Sequence, residues 1–425
     1  MNSPRKIAIT GLGAVCGAGR TVDEIFDAIV SGRSAIAPIT QFDASRWPVR
    51  VAAECNVENK ILVTDRKLHK SISRTDIFGI YAAESAIGQS GLLAHRETLD
   101  AAAKIRFNDR SGIIAGSGGG NYGCNYDFFQ AMAESGGDLK KFGGKFSESV
   151  NPMWLLKNLP NNVLCHVGIR NQFKGTNACI TNHCAGGAMA VTEAAAAIHA
   201  VEADRAVAVG HDAPFEPETV FHYHQLGLLS PENLRPFDLD RSGTVFGEGA
   251  ASVMLETAVD AEARGAKILG EFLGSGCATE ATGVVGIRPD GDGLIRAIEL
   301  ALADANISRE EIGMIVAHGN GTSASDASEA IAIRRVFGEK IPPVTGFKWA
   351  YGHLIAASGI LDMVFALMAL RQKIVPGIFT LNLADPEFAP FPVSKIAQQP
   401  RSDIALVLCR GFGGMDVALL VRANL

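Results

Sequence analysis

Cys184 heads a run of small residues, Cys184-Ala185-Gly186-Gly187, that leads into an alanine-rich stretch of strong helix propensity at 194–201. A thiol at a helix N-terminus sits at the positive end of the macrodipole, near backbone N–H groups without partners, and both favour the nucleophilic thiolate. The glycines let a substrate carbonyl approach the backbone, where those N–H groups can act as an oxyanion hole. Taken alone, the segment fits a small buried cysteine beside a tight turn equally well. Two histidines add to it. His318 ends an apolar run at 312–317 and precedes a glycine-rich polar loop. His353 follows Lys348 by five residues and opens an apolar helical pattern over 353–370. A histidine near a helix N-terminus stays neutral, because the dipole disfavours imidazolium. Two neutral imidazoles that donate N–H bonds suit a step in which negative charge grows on a thioester oxygen. Either histidine alone would read as a structural hydrogen-bonding residue.

Other patterns carry less. Gly11-Leu12-Gly13 after an apolar run resembles the start of a dinucleotide fingerprint, but Cys16 stands where its third glycine belongs. The run at 116–120 (GSGGG) lacks the Gly-Lys-Ser/Thr of a phosphate loop and fits a turn. Cys179, His183 and Cys184 form no second pair that would complete a tetrahedral metal site, so no metal is expected. Eight cysteines in 425 residues, without a CxxC pair, fit a reducing compartment, and a cytoplasmic location is expected. The net charge of −6 gives no pull toward nucleic acid or an anionic membrane. No apolar run is long enough to span a bilayer, and the N-terminus lacks the apolar core of a signal peptide.

The elements that must position these residues alternate. Residues 6–10 (KIAIT) read as a strand that turns at Gly11-Leu12-Gly13. Thr21 and Glu24 then form a capping-box pattern ahead of the apolar face Val22, Ile25, Phe26 and Ile29. Strands are predicted at 111–116, 205–210, 312–317, 404–409 and 417–421, and helices at 294–305 and 327–337. Repeated strand–helix units predict an α/β architecture with helices covering sheets. The charged, alanine-rich stretch 258–267 is the expected join between two halves, 1–257 with the cysteine and 258–425 with the histidines and the lysine.

One cysteine and two histidines in this order and context resemble the β-ketoacyl synthases of the thiolase superfamily, above all the elongating type-II enzymes. The resemblance covers essentially the whole chain: 6–13 (KIAITGLG), Gln41-Phe42-Asp43, 235–240 (RPFDLD), 247–250 (GEGA) and 410–414 (RGFGG). It implies a dimer of five-layered αβαβα subunits, each built from two similar halves. It implies that Cys184 accepts the acyl chain, that His318 and His353 support malonyl decarboxylation and hold the enolate, and that Lys348 fixes their network. Thr322 then lies near the pantetheine arm, and Phe412 gates the pocket on a loop kept mobile by Gly411 and Gly413. Lys67 and Lys70 match carrier-contacting positions, in a basic run with Arg66 and Arg74 suited to an acidic acyl carrier protein. No cofactor is implied beyond the phosphopantetheine that arrives on the substrate. A homodimer is expected, or a heterodimer with a chain-length partner. Retention of Cys184 speaks against this chain being the non-catalytic partner, and Cys409 reads as core rather than as a thiolase's second cysteine. Departures from the family pattern are Asn182-His183 before the nucleophile, Asn320, 323–325 (SAS) before Asp326, and Met415-Asp416. These altered contacts leave both primary fatty-acid elongation and a specialised polyketide or polyene pathway open.

Overall fold

The computed structural model describes residues 5–119 and 128–424. Gly120, the last glycine of the 116–120 run, lies outside the described residues. The first strand is β1 (Ile7–Cys16), followed by a short antiparallel pair, β2 (Ala37–Pro38) and β3 (Val51–Ala52). Then come β4 (Ser111–Ser117), β5 (Asn177–Ile180), β6 (Arg205–Asp212) and β7 (Gly249–Thr257). The second half supplies β8 (Gly270–Thr279), β9 (Met314–Val316), β10 (Val344–Thr345), β11 (Ile404–Gly411) and β12 (Met415–Ala423).

Ten strands form one sheet in the order β10-β9-β11-β12-β8-β1-β7-β6-β4-β5. It consists of two five-strand units with the same internal order. Counting from each unit's first strand, the sequence is first, fifth, fourth, second, third. The pairings also repeat, antiparallel twice and then parallel twice. The units meet where Ile7–Ile9 pair antiparallel with Gly270–Phe272. Strands such as β1, β4 and β7 are buried along their whole length. Their near-continuous apolar runs are what a sheet covered on both faces requires.

Two helices, Gly186–His199 and Ser358–Arg371, pack against each other between the units. Helix Arg74–Ser90 covers β1, β6 and β7 on one outside, and Asp292–Ala305 covers β8 and β12 on the other. The result is five layers, helix–sheet–helix–sheet–helix. The central helices begin on glycines for a spatial reason. A Cβ on Gly187 would lie 2.4 Å from the Ala356 carbonyl oxygen, and one on Gly359 2.8 Å from the Ala188 Cβ. Close approach at these starts brings Cys184 beside the second half of the chain.

Two expectations need correction. Gly11 and Gly13 do not turn the chain, since β1 continues through them, with only a register shift against β7 between Ile9 and Gly11. A Cβ at either would sit 2.0 Å from a carbonyl oxygen of helix Arg74–Ser90, Ala86 or Ala82. They are glycines so that helix and strand can touch. The apolar helix also does not begin at His353. A 3₁₀ turn, Ile355–Ala357, intervenes, and the helix starts at Ser358. Of the expected capping box the Thr21 half forms, its hydroxyl accepting from the Glu24 N–H at 3.1 Å, while the Glu24 carboxylate accepts from the Arg20 N–H at 2.7 Å instead of from Thr21.

Candidate active site

Cys184 sits in the 3₁₀ turn His183–Ala185 that opens helix Gly186–His199, and it is buried. The turn forms because His183 adopts φ 48°, a left-handed conformation that histidine tolerates better than most residues. Burial pushes the thiol up to about 12, the negative charge of Asp212 adds to this, and Lys348 opposes it. The expected thiolate is therefore not the resting form. A helix terminus offers about 0.3–1 kcal/mol, whereas burying an ionised group is worth several kcal/mol, and burial wins.

His318 and His353 meet edge to face, with ring centroids 5.3 Å apart. Both are held well below the usual histidine range, first by burial and then by the Lys348 charge. They are neutral as expected, but burial rather than a helix dipole is the cause. The hydrogen bonds also set their tautomers. Nδ1 of His353 accepts the Ile355 N–H at 3.1 Å and lies 2.9 Å from the Ser358 hydroxyl. Nδ1 of His318 accepts the Arg410 N–H at 3.3 Å. Each ring therefore carries its proton on Nε2, available as a donor. Lys348 is fully buried and pairs with Asp362 of the second central helix at 2.5 Å, while the Tyr351 hydroxyl bonds the other oxygen of Asp362.

Cys184, His318, His353, Thr322, Gly411 and Phe412 line one narrow cavity of about 60 Å³. Lys348 lies behind it. A larger cavity, about 870 Å³, lies elsewhere, between Arg5, His95, Arg106 and Asp260, and contains none of these residues. Thr322 is buried, and both its N–H and its hydroxyl bond the side-chain oxygen of Asn320 at 3.0 and 2.9 Å. Asn320 thus braces the threonine from within the same loop.

Phe412 stacks on His183 at 5.0 Å between centroids and lies tilted against Tyr223 at 5.0 Å, on the lining of the cavity that holds Cys184. Of its flanking glycines, only Gly413 needs left-handed freedom, with φ 85°. Gly411 ends β11, and its role is different: a Cβ there would stand 3.4 Å from the Cys184 nitrogen. Its missing side chain keeps that N–H approachable. Asp416 is buried and accepts from Arg410 Nε at 2.9 Å, and Arg410 also reaches Glu280 at 3.1 Å. The departure to Asp is matched by an ion pair beneath the loop.

Lys67 and Lys70 are exposed, and neither pairs with a carboxylate among the described residues. Arg74 does not join them. Its guanidinium turns inward to Glu248 at 2.8 Å and to the Cys55 carbonyl. The basic run shrinks to Arg66, Lys67 and Lys70. Cys409 is core as expected, its thiol donating to the Cys184 carbonyl at 3.2 Å.

Several supporting residues escaped the sequence reading. Tyr223, Glu329 and Ser358 had no motif to mark them. Glu329 accepts the N–H groups of His318 and Gly319 at 2.7 and 2.9 Å and fixes the start of that loop. Gly247 of the 247–250 motif pairs with His353, whose carbonyl accepts its N–H and whose own N–H bonds the Val245 carbonyl, while Glu248 accepts from Arg74, Cys55 and Gln41.

Two similar five-strand units with a buried thiol and two neutral imidazoles at their seam are the thiolase-like fold of acyl-transferring, condensing enzymes. The family model for the β-ketoacyl synthase N-terminal domain matches residues 4–261, that for the C-terminal domain matches 269–382, and the chain belongs to this family. It is 31% identical to the 3-oxoacyl-[acyl-carrier-protein] synthase 2 of Coxiella burnetii over 98% of each chain. It is 30% identical to Nodulation protein E of Rhizobium sp. (strain N33), over 98% of this chain and 99% of that one. Among solved structures, the ishigamide ketosynthase/chain length factor superposes with TM-score 0.86 at 26% identity, covering 99% of this chain and 100% of that one. A β-ketoacyl synthase from Burkholderia phymatum STM815 gives 0.85 at 26% identity, with the same coverage.

Proposed function

We propose that this chain is a β-ketoacyl-[acyl-carrier-protein] synthase working by a ping-pong decarboxylative Claisen condensation. The observation that carries the reading is the shared cavity of Cys184, His318 and His353, with both imidazoles neutral and protonated on Nε2. Cys184 attacks an acyl thioester, and the N–H groups of Cys184 and Phe412 hold the tetrahedral oxyanion. After the first carrier leaves, the two Nε2–H groups bond the malonyl thioester oxygen while CO₂ departs. The resulting carbanion attacks acyl-Cys184 and releases a 3-oxoacyl product. Loss of CO₂ supplies the carbanion, so the reaction calls on no resident metal or redox group, and pantetheine arrives with the substrate. Among the described residues no helix is long and apolar enough to cross a membrane. The proposed assembly is a homodimer, with a chain-length partner as the alternative suggested by the ishigamide neighbour. Intact-mass measurement tests the mechanism: an acyl-carrier thioester should add one acyl group at Cys184, and malonyl-carrier should discharge it as 3-oxoacyl-carrier. Failure of either step overturns the reading.

Two further expectations concern access. Phe412→Ala should open the narrow cavity, broadening the range of chain lengths that load and weakening discrimination between acyl and malonyl carriers. Acylation rates across a chain-length series decide it, and an unchanged profile would make Phe412 a packing residue. Charge reversal of Lys67 and Lys70 to Glu should raise KM for carrier-bound substrate more than for a pantetheine mimic, since only the carrier presents acidic surface. Equal effects on both would remove these lysines from docking.

A further inference from the structure

His183 occupies one of the positions where this chain departs from its family, and the structure puts its imidazole on the nucleophile. Nδ1 lies 3.1 Å from Cys184 Sγ. Neighbouring side chains seldom meet in this way, and the left-handed backbone at His183 brings it about. The bend itself belongs to the architecture. In the second half, Ile355 takes φ 43° at the start of the matching 3₁₀ turn before the second central helix. The imidazole belongs to the first half alone, since the residue at the matching place in the second is Ile355. On its far side Nε2 faces the Tyr223 hydroxyl at 3.4 Å, and the ring is stacked on Phe412 with 18° between planes. Tyr223 stays protonated, since burial raises it well above its usual range. An Nε2–H donated to the Tyr223 oxygen leaves Nδ1 with a lone pair aimed at the thiol. Burial holds His183 down to about 4, so it is a neutral acceptor at working pH.

We propose that His183 is the general base of acyl loading, taking the Cys184 proton through Nδ1 as sulfur attacks the thioester carbonyl. The Cys184 Sγ–carbon bond forms, and the carbon–sulfur bond to pantetheine breaks as the tetrahedral intermediate collapses. The proton passes from Cys184 to His183 and then to the departing pantetheine sulfur. A thiol as strongly held as this one needs such an acceptor within reach. The imidazolium formed in transit faces the developing thiolate, and each charge stabilises the other. In condensation Cys184 is the leaving group and no proton has to be taken from it, so that step calls on no base. The groups bearing on the pair are His222 and Tyr223 on the facing helix, His353, and Asp212 and Lys348 acting on Cys184.

The inference rests on Cys184 being the nucleophile, and the experiment separates the two. Loading from a short acyl N-acetylcysteamine thioester is followed by intact mass from pH 6 to pH 9, in wild type, His183→Asn and Cys184→Ala. Asparagine tolerates the left-handed bend but cannot take the proton. Wild type should load at a nearly constant rate, because His183 is already unprotonated throughout. His183→Asn should load about 10²–10⁴-fold more slowly at pH 7. Its rate should rise about tenfold per pH unit, following the thiolate fraction. Once acylated at high pH and returned to pH 7, it should lose far less in condensation with malonyl-carrier than it loses in loading. Equal loading by His183→Asn across the range overturns the proposal. A wild-type rate that itself climbs tenfold per unit does so without any variant. An acyl adduct on Cys184→Ala would instead remove the nucleophile assignment beneath it.

Discussion

Cys184→Ala should show no acyl adduct and no 3-oxoacyl product while folding normally. The side chain is small and buried, and its sulfur bonds only groups of the site. Deleting one buried heavy atom from a core position lowers stability by about 1 kcal/mol, well within the margin of a chain this size. The loss of reaction has no such floor, since among the described residues no other thiol is placed to replace it. Cys409 is the nearest alternative, but it is buried, bonds the Cys184 carbonyl, and its thiol is pushed up strongly by burial. Intact mass after incubation with acyl-carrier, alongside a melting curve, gives both readouts. An adduct that survives in this variant would place the nucleophile elsewhere.

His318→Ala and His353→Ala should each lower condensation by about 10²–10³, the usual loss for one oxyanion donor. Acyl transfer to Cys184 should largely persist, because the proposed loading oxyanion is held by backbone N–H groups. Burst acylation and malonyl decarboxylation, measured separately, should part company in these variants. The two effects need not add, since both donors grip the same developing charge. The split should also be insensitive to pH above neutrality. Both rings lie well below the usual histidine range and are already in the donor form there. A variant that condenses at near wild-type rate would release that histidine from its role.

Cys184, both histidines and Lys348 could be picked out from their contexts together with the family resemblance, and the structure brings them to one place. The alternation of strands and helices was also legible, because fully buried strands leave apolar runs and central helices leave alanine. What stayed hidden depends on contacts distant in sequence. Gly11 and Gly13 look like a turn, and only the helix at 74–90 pressing on them explains why the strand continues through two glycines. Arg74 looks like part of a basic surface until Glu248, 174 residues away, draws it inward. The charge state of Cys184 was misjudged because a local rule about helix ends cannot register the depth of burial. His183 was visible as a departure, but its reach to the thiol depends on a backbone bend that residue identity alone does not announce.

The position of β1 bears on how the chain is made. β1 lies in the middle of the sheet, and its long-range partner β7 is completed only when Thr257 emerges. Thr10 finds Glu256 at a separation of 246 residues. At about 5–20 residues per second, that is roughly 12–50 s of translation. Throughout that interval a ten-residue apolar strand has both edges bare, the situation most prone to aggregation. The strand order thus leaves the edges of β1 unpaired for longer than pairing with its chain neighbour would.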